Sequence, residues 1–261
     1  MSMQSKSGQD EILYAQLRDM MQRAGRGMWS CSHFLSPREA HLARSLIERE
    51  GRDAICVLQG GYAEAERVKV FVLPDYMNEP EYISPMLEQE ICLLELKGGG
   101  FCTLSHRDYL GALLALGIER HVLGDLVVLD ERRAILYCNA DIAPFLCAEL
   151  TRVGKDGIKV SVLPLDTEIE IPERYKSVSD TVASARFDCI AAALTGLSRE
   201  KSQMLIRSGE CSVDYESCDR CDRIISPPCV ISLRGYGKYR IDDVSMQTKK
   251  GRLRMYARKY I

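Results

Sequence analysis

ICLLELK (91–97), HRDYLGALLALG (106–117), DLVVLD (125–130), RAILYC (133–138), APFLCAELTRV (143–153) and IKVSVL (158–163) follow one another in the middle of the chain. The short apolar runs, bounded by Gly, Asp and Arg turns, read as strands. The two longer runs, with apolar residues three and four apart, read as helices. Strand, helix, strand, strand, helix, strand is the ferredoxin-like order, which many RNA-recognition modules share. It predicts an α+β protein and leaves function open, because one fold hosts unrelated activities.

Outward on the N-terminal side, Ile12, Leu13, Leu17, Met20 and Met21 recur at helical spacing over residues 10–22. SPREAHLARSLIERE (36–50) is a second helix, with Ser36 as N-cap, Pro37 at the first helical position and Glu39 three residues after the cap. DAICVLQG (53–60) and ERVKVFVLP (66–74) read as a β-hairpin joined across GGYAEA. Residues 74–85, with three prolines, read as a linker. On the C-terminal side, LPLDTEIEIPERYKSVSDTV (163–182) reads as a connector. Beyond it lie two short helices, one ending at Gly196 and one capped by Ser198 and closed by Gly209, then β-type runs and the basic end TKKGRLRMYARKYI. The expected division is an N-terminal α/β domain over 1–76, a ferredoxin-like domain over 77–170, and an αα-turn plus β-hairpin domain over 183–261.

The 261 residues are 46% hydrophobic and 28% charged, enough for a good core in two or three domains. No run reaches the roughly 18 apolar residues of a membrane span, and the start lacks a secretory apolar core, so the cytoplasm is the expected address. The net charge of −2 conceals an asymmetry: residues 1–182 carry 20 Lys and Arg against 28 Asp and Glu, and residues 183–261 carry 15 against 9. Nucleic-acid contact is therefore expected in the C-terminal part, with a solvated basic face as the plain alternative.

RFD (186–188), SREKSQMLIRSGE (198–210), SVDY (212–215) and PPCVISLRGYG (227–237) resemble the S-four domain, named after small-subunit ribosomal protein four. FLSPREA (34–40), GGYAEAERVKVFVLPDY (60–76), LSHRDYLGALLALGIERHVLGDLVV (104–128), RGYGKYRI (234–241) and TKKGRLRM (248–255) extend the likeness to the YlmH family of bacterial S-four proteins. The resemblance implies a non-catalytic protein that holds structured RNA, ribosomal or transfer. It further implies the large ribosomal subunit as partner and a part in rescuing stalled translation. The sequence departs from the family at CSVDYESCDRCDR (211–223), where an Asn-containing turn is usual.

Carried over position by position, the resemblance implies RNA contacts at Arg186, Ser198, Arg199, Lys201, Gln203 and Arg207, joined by Arg234, Tyr236, Lys238, Lys249, Lys250 and Arg252. Arg and Lys suit phosphates, and Ser198 and Gln203 suit sugar or base edges. Asp188 reads as an acid favoured by the dipole of a first helical turn. Tyr236 and Tyr239 either stack on unpaired bases or pack within a strand.

Three motifs invite other readings. HRD (106–108) matches part of the kinase catalytic loop, but residue 113 is Leu and no glycine-rich nucleotide loop precedes it. KGGG (97–100) lacks the Lys-Ser/Thr of a P-loop and reads as a turn. Cys211, Cys218, Cys221 and Cys229 supply only one close pair, where a zinc site as a rule has two, so free thiols are expected. No metal, cofactor or membrane is expected. An RNA-modifying enzyme of pseudouridine-synthase type and a helix-turn-helix DNA-binding protein are the alternatives. The first lacks its catalytic motif outside RFD, and a short basic helix followed at once by a hairpin favours RNA over DNA.

Overall fold

The computed structural model describes residues 3–51, 54–77, 80–172, 175–248 and 251–261. The chain divides into two compact units, 1–171 and 172–261.

The first unit opens with α1 (Met3–Ala24), β1 (Ser30–Cys31), α2 (Pro37–Glu50), β2 (Ile55–Gln59) and β3 (Lys69–Leu73). Leu13, Leu17, Met20 and Ala24 recur every three or four residues and form the buried side of α1. The start of α2 is a capping box. The Glu39 carboxylate accepts from the Ser36 N–H at 2.7 Å, and the Ser36 hydroxyl oxygen accepts from the Glu39 N–H at 3.4 Å. The three strands form one antiparallel sheet in the order β1-β3-β2. Central β3 is buried on both faces, which is why residues 70–73 are apolar without interruption, and the buried Lys69 that opens it is ion-paired with Glu90 at 2.7 Å. Val70 and Val72 meet α1 and α2, whereas Phe71 and Leu73 enter a second core.

The expected linker over 74–85 is in part a helix, α3 (Pro80–Glu90). Proline suits a first helical turn, where its missing N–H has no partner to lose. Pro80 therefore opens this helix, and Pro85 is carried within it beside buried Met86.

There follow β4 (Ile91–Gly98), α4 (His106–Ala115), β5 (Leu123–Val128), β6 (Arg133–Asn139), α5 (Ala143–Glu149), β7 (Arg152–Val153) and β8 (Asp156–Leu163). They build an antiparallel sheet in the order β5-β6-β4-β8-β7, the ferredoxin-like arrangement with a short added strand. Leu94, Leu96, Leu136 and Cys138 face the helices, where they meet Tyr109, Leu113 and Leu146. On the opposite face Leu93, Ile135 and Tyr137 are covered by Phe71 and Leu73 of β3 and by Phe34 from the segment before α2. Loop 60–67 fastens this cover. Buried Asp125 accepts hydrogen bonds from the Tyr62 hydroxyl, the Glu66 N–H (2.9 Å) and the Arg67 N–H (3.0 Å). Tyr62 stacks on Tyr137 with ring centres 5.0 Å apart. Gly61, at φ +97°, lies so close that a Cβ there would collide with the Tyr137 ring. The segments expected as separate domains, 1–76 and 77–170, thus share one core and one compact unit.

The second unit starts at 172 rather than 183. Its elements are β9 (Tyr175–Val182), α6 (Phe187–Thr195), α7 (Arg199–Arg207), β10 (Cys211–Val213), β11 (Glu216–Ser217), β12 (Cys229–Leu233), β13 (Gly237–Gln247) and β14 (Leu253–Tyr260). The strands make a six-stranded antiparallel sheet in the order β11-β10-β12-β13-β14-β9. The supposed connector supplies β9, which pairs with β14 from Leu253↔Val182 to Tyr260↔Tyr175. Its sequence hides this role because an edge strand needs few apolar residues, and of these Val178 and Val182 reach the core. Phe187, Ile190 and Ile206 of the helices pack on Ile231, Leu233, Ile241 and Met255 of the sheet. Among the described residues no helix is long and apolar enough to cross a membrane.

Candidate nucleic-acid interface

Helix α6 ends at Gly196, whose φ of +71° is the left-handed cap that glycine takes most readily, and its N–H donates to the Ala192 carbonyl at 2.9 Å. Ser198 caps α7, its hydroxyl oxygen accepting from the Lys201 N–H at 3.3 Å. So tight a link brings the first turns of both helices together around Asp188. This carboxylate is fully buried and accepts from Arg186 Nε (3.1 Å) and Nη2 (3.3 Å), Arg199 Nε (3.0 Å) and Gln203 Nε2 (2.7 Å). Burial alone would raise its pKa. The hydrogen bonds from Arg186, Gln203 and Arg199 outweigh burial and hold the group well below the usual carboxylate range. The helix-dipole reading of Asp188 was too small: the carboxylate is the pin on which three of the expected RNA-contact side chains turn.

Arg199, Gln203 and Arg207 are four residues apart and share one stripe of α7. Arg199 keeps 56% of its side chain exposed while bonded to Asp188, so it faces both the pin and the solvent. Lys201 is exposed on another side of α7, and Ser198 and Arg207 are exposed at its two ends. Arg199 and Arg252, 53 residues apart in sequence, line one cleft of about 240 Å³ together with Thr181, Val182, Cys189 and Ala192. The Arg252 guanidinium is steadied there by the Thr181 carbonyl at 2.6 Å. Strand β9 thus builds one wall of a cleft that the sequence reading could not foresee.

The remaining expected contacts are dispersed. Arg234 is exposed and ion-paired with Glu210. Tyr236 packs against the core, and Tyr239 is buried with its hydroxyl donating to the Tyr236 and Leu194 carbonyls at 3.0 and 3.3 Å, so Tyr239 presents no face for stacking. The Lys238 ammonium lies over the rings of Tyr260 (4.2 Å) and Tyr215 (5.2 Å). Tyr215 stands with Asp214 in the turn where the sequence departs from the family, at φ of +68° and +51°. Lys249 and Lys250 lie outside the described residues. On the sheet face away from the helices the structure adds Arg240, Arg254 and Arg258, which the sequence reading missed. The signal was present in GRLRMYARKY, where Arg254, Tyr256 and Arg258 alternate with buried Met255 and Ala257.

The other motifs resolve into structure. Asp108 of HRD closes the start of α4, accepting from the Ser105 N–H (2.8 Å) and hydroxyl (2.6 Å). The N–H groups of the KGGG turn are already engaged: Gly98 with the Arg132 carbonyl (2.7 Å), Gly99 with the Gly157 carbonyl (3.0 Å), and Gly100 and Phe101 with the buried Asp156 carboxylate (2.9 and 3.2 Å). They form no phosphate cradle. Cys211, Cys218, Cys221 and Cys229 are buried, and burial pushes the Cys211 and Cys229 thiols up to about 11 and about 12. Among the described residues no group of three His, Cys, Asp or Glu is placed to hold a metal ion.

Comparison with known proteins adds three findings. Residues 87–167 match the family described as "Putative RNA-binding domain in YlmH". The chain is 30% identical over 224 residues to the ribosome-associated protein quality control protein P2 of Bacillus subtilis (strain 168), covering 85% of this chain and 84% of that protein. The cell division protein ylmH from Streptococcus pneumoniae is a solved structural neighbour, with a TM-score of 0.51 and 21% identity, over 65% of this chain and 97% of that one. At that identity the neighbour speaks for the fold alone.

Proposed function

The chain belongs to the YlmH family, and from that membership we propose that it is a non-catalytic RNA-binding protein working on the ribosome. In this reading the second unit is the grip. It holds structured RNA, ribosomal or transfer, on the large ribosomal subunit, and the acidic first unit positions it during rescue of stalled translation. The name of the Bacillus subtilis relative supports the ribosomal setting, since that protein is called ribosome-associated.

The observation that carries the grip is the Asp188 pin. A buried anion that orients Arg186, Arg199 and Gln203 fixes, before any partner arrives, part of the freedom that these side chains would otherwise lose on binding. The same pin argues against a pseudouridine-synthase-like use of the RFD acid. A carboxylate enclosed by three donors is not placed to attack a base. Moving the boundary to 172 leaves the charge reading intact, with 17 Lys and Arg against 11 Asp and Glu in the second unit.

The test uses the full chain and a labelled RNA stem-loop, with affinity measured across a salt series. Arg199→Ala and Lys201→Ala should each weaken binding by about 1 kcal/mol and lower the salt slope by about one. Variants that bind with wild-type affinity and slope, beside charge reversals in residues 1–171 that abolish binding, would put the grip in the wrong unit.

A further inference from the structure

The ferredoxin-like segment carries the match to the family described as "Putative RNA-binding domain in YlmH", and the covered part of its sheet offers no surface for RNA. Leu93, Ile135 and Tyr137 lie under Phe34, Phe71 and Tyr62. The same sheet face remains open at its far end, where β4 runs into the loop 98–101.

Two features meet there. Phe101 is 88% exposed. Its exposure does not come from a slack backbone, because the Gly98, Gly99, Gly100 and Phe101 N–H groups are all bonded to neighbouring strands and to Asp156. A fixed loop that holds an aromatic ring in water forgoes the burial that drives folding. Four residues earlier in the chain, Lys97 pairs in register with Arg133 on one neighbour and with Lys159 on the other, so three exposed cations stand abreast across β6, β4 and β8. Like charges directly opposite one another destabilise a sheet. Arg133 is relieved by Asp130, whereas Lys97 and Lys159 have no ion-pair partner among the described residues. The Arg132 side chain lies against the loop itself, packed so closely on Gly100 that a Cβ there would sit 2.7 Å from its Nε.

We propose that Phe101 and the row Arg133, Lys97 and Lys159 form a second RNA contact, in which the Phe101 ring stacks on an unpaired base and the row, with Arg132, takes the adjoining phosphates. The ring answers the π-face that any unpaired base presents, and the cations answer the backbone. A fully paired helix exposes no such face, so the partner is a loop, bulge or single strand of RNA. The inference rests on the reading of this chain as an RNA binder and names a separate surface for it.

The experiment compares a labelled RNA stem-loop having an unpaired apical loop with a fully paired duplex of equal length, bound to full-length protein. Phe101→Ala should melt with the wild type, lower stem-loop affinity about tenfold and leave the duplex unaffected. Phe101→Tyr, which keeps a ring, should restore binding. The stem-loop salt slope should not move with Phe101→Ala, and should fall by about two in the Lys97→Ala, Lys159→Ala double variant. Equal losses on both RNAs would overturn the stacking. If Phe101→Ala and the double variant bind as the wild type does while Arg199→Ala is weakened, this second contact is wrong and the grip stands. If the wild-type chain binds neither RNA, both fall.

Discussion

Asp188 shows how much one side chain can decide. Replacing it by Asn keeps the volume and removes the charge that Arg186, Arg199 and Gln203 share. Asp188→Asn should lower unfolding free energy by about 2 kcal/mol, the scale of hydrogen bonds to a buried charge, as read by urea denaturation. RNA affinity should fall with it, because Arg199 loses its bearing. The pH dependence follows from the sign of the shift. A carboxyl whose pKa is depressed in the folded state stabilises the protein fully above its unfolded value, about 4, and that stability is lost as pH falls through the depressed value. Wild-type melting temperature should therefore drop on acidification below about pH 4 more steeply than that of Asp188→Asn.

At the scale of elements, the caps carry the two helices of the grip. Ser198→Ala removes the oxygen that accepts the Lys201 N–H and should cost about 1 kcal/mol. Gly196→Ala meets open space, so its cost, also about 1 kcal/mol, is the strain of a left-handed backbone alone. Thermal unfolding of both variants measures these costs. Such caps are legible in a sequence because they depend on residues next to one another: Ser36 with Glu39, Gly196 and Ser198 all sit where the residue pattern put them. The ferredoxin-like order was legible for the same reason, each strand and helix carrying its own period. Strand β9 was not, because YKSVSDTV becomes a strand only through its pairing with β14, more than 70 residues away. Helix α3 was hidden by prolines that serve at a helix start as well as in a linker. The Asp188 pin was half legible: the RFD motif marks it, but three side chains converging on one carboxylate is a fact of packing.

At the scale of the molecule, the boundary at 172 has a measurable consequence. Full-length protein should release a protease-resistant fragment that begins near 172, and a fragment trimmed to 183–261 should be less stable, because it leaves β14 as an open edge. Limited proteolysis followed by melting of both fragments checks this. In the first unit the family match at 87–167 begins inside α3 and excludes Phe34, Tyr62, Phe71 and Leu73, which cover the sheet. A piece cut at those borders would present Leu93, Ile135 and Tyr137 to water and should self-associate, as light scattering would report. For descent the closed face means that the two halves of the first unit are inherited as one. A change at Tyr137 has to be answered at Gly61 or Tyr62, so these positions should drift together among relatives, and a recombination event that gave the ferredoxin-like half a foreign neighbour would have to bring a new cover with it.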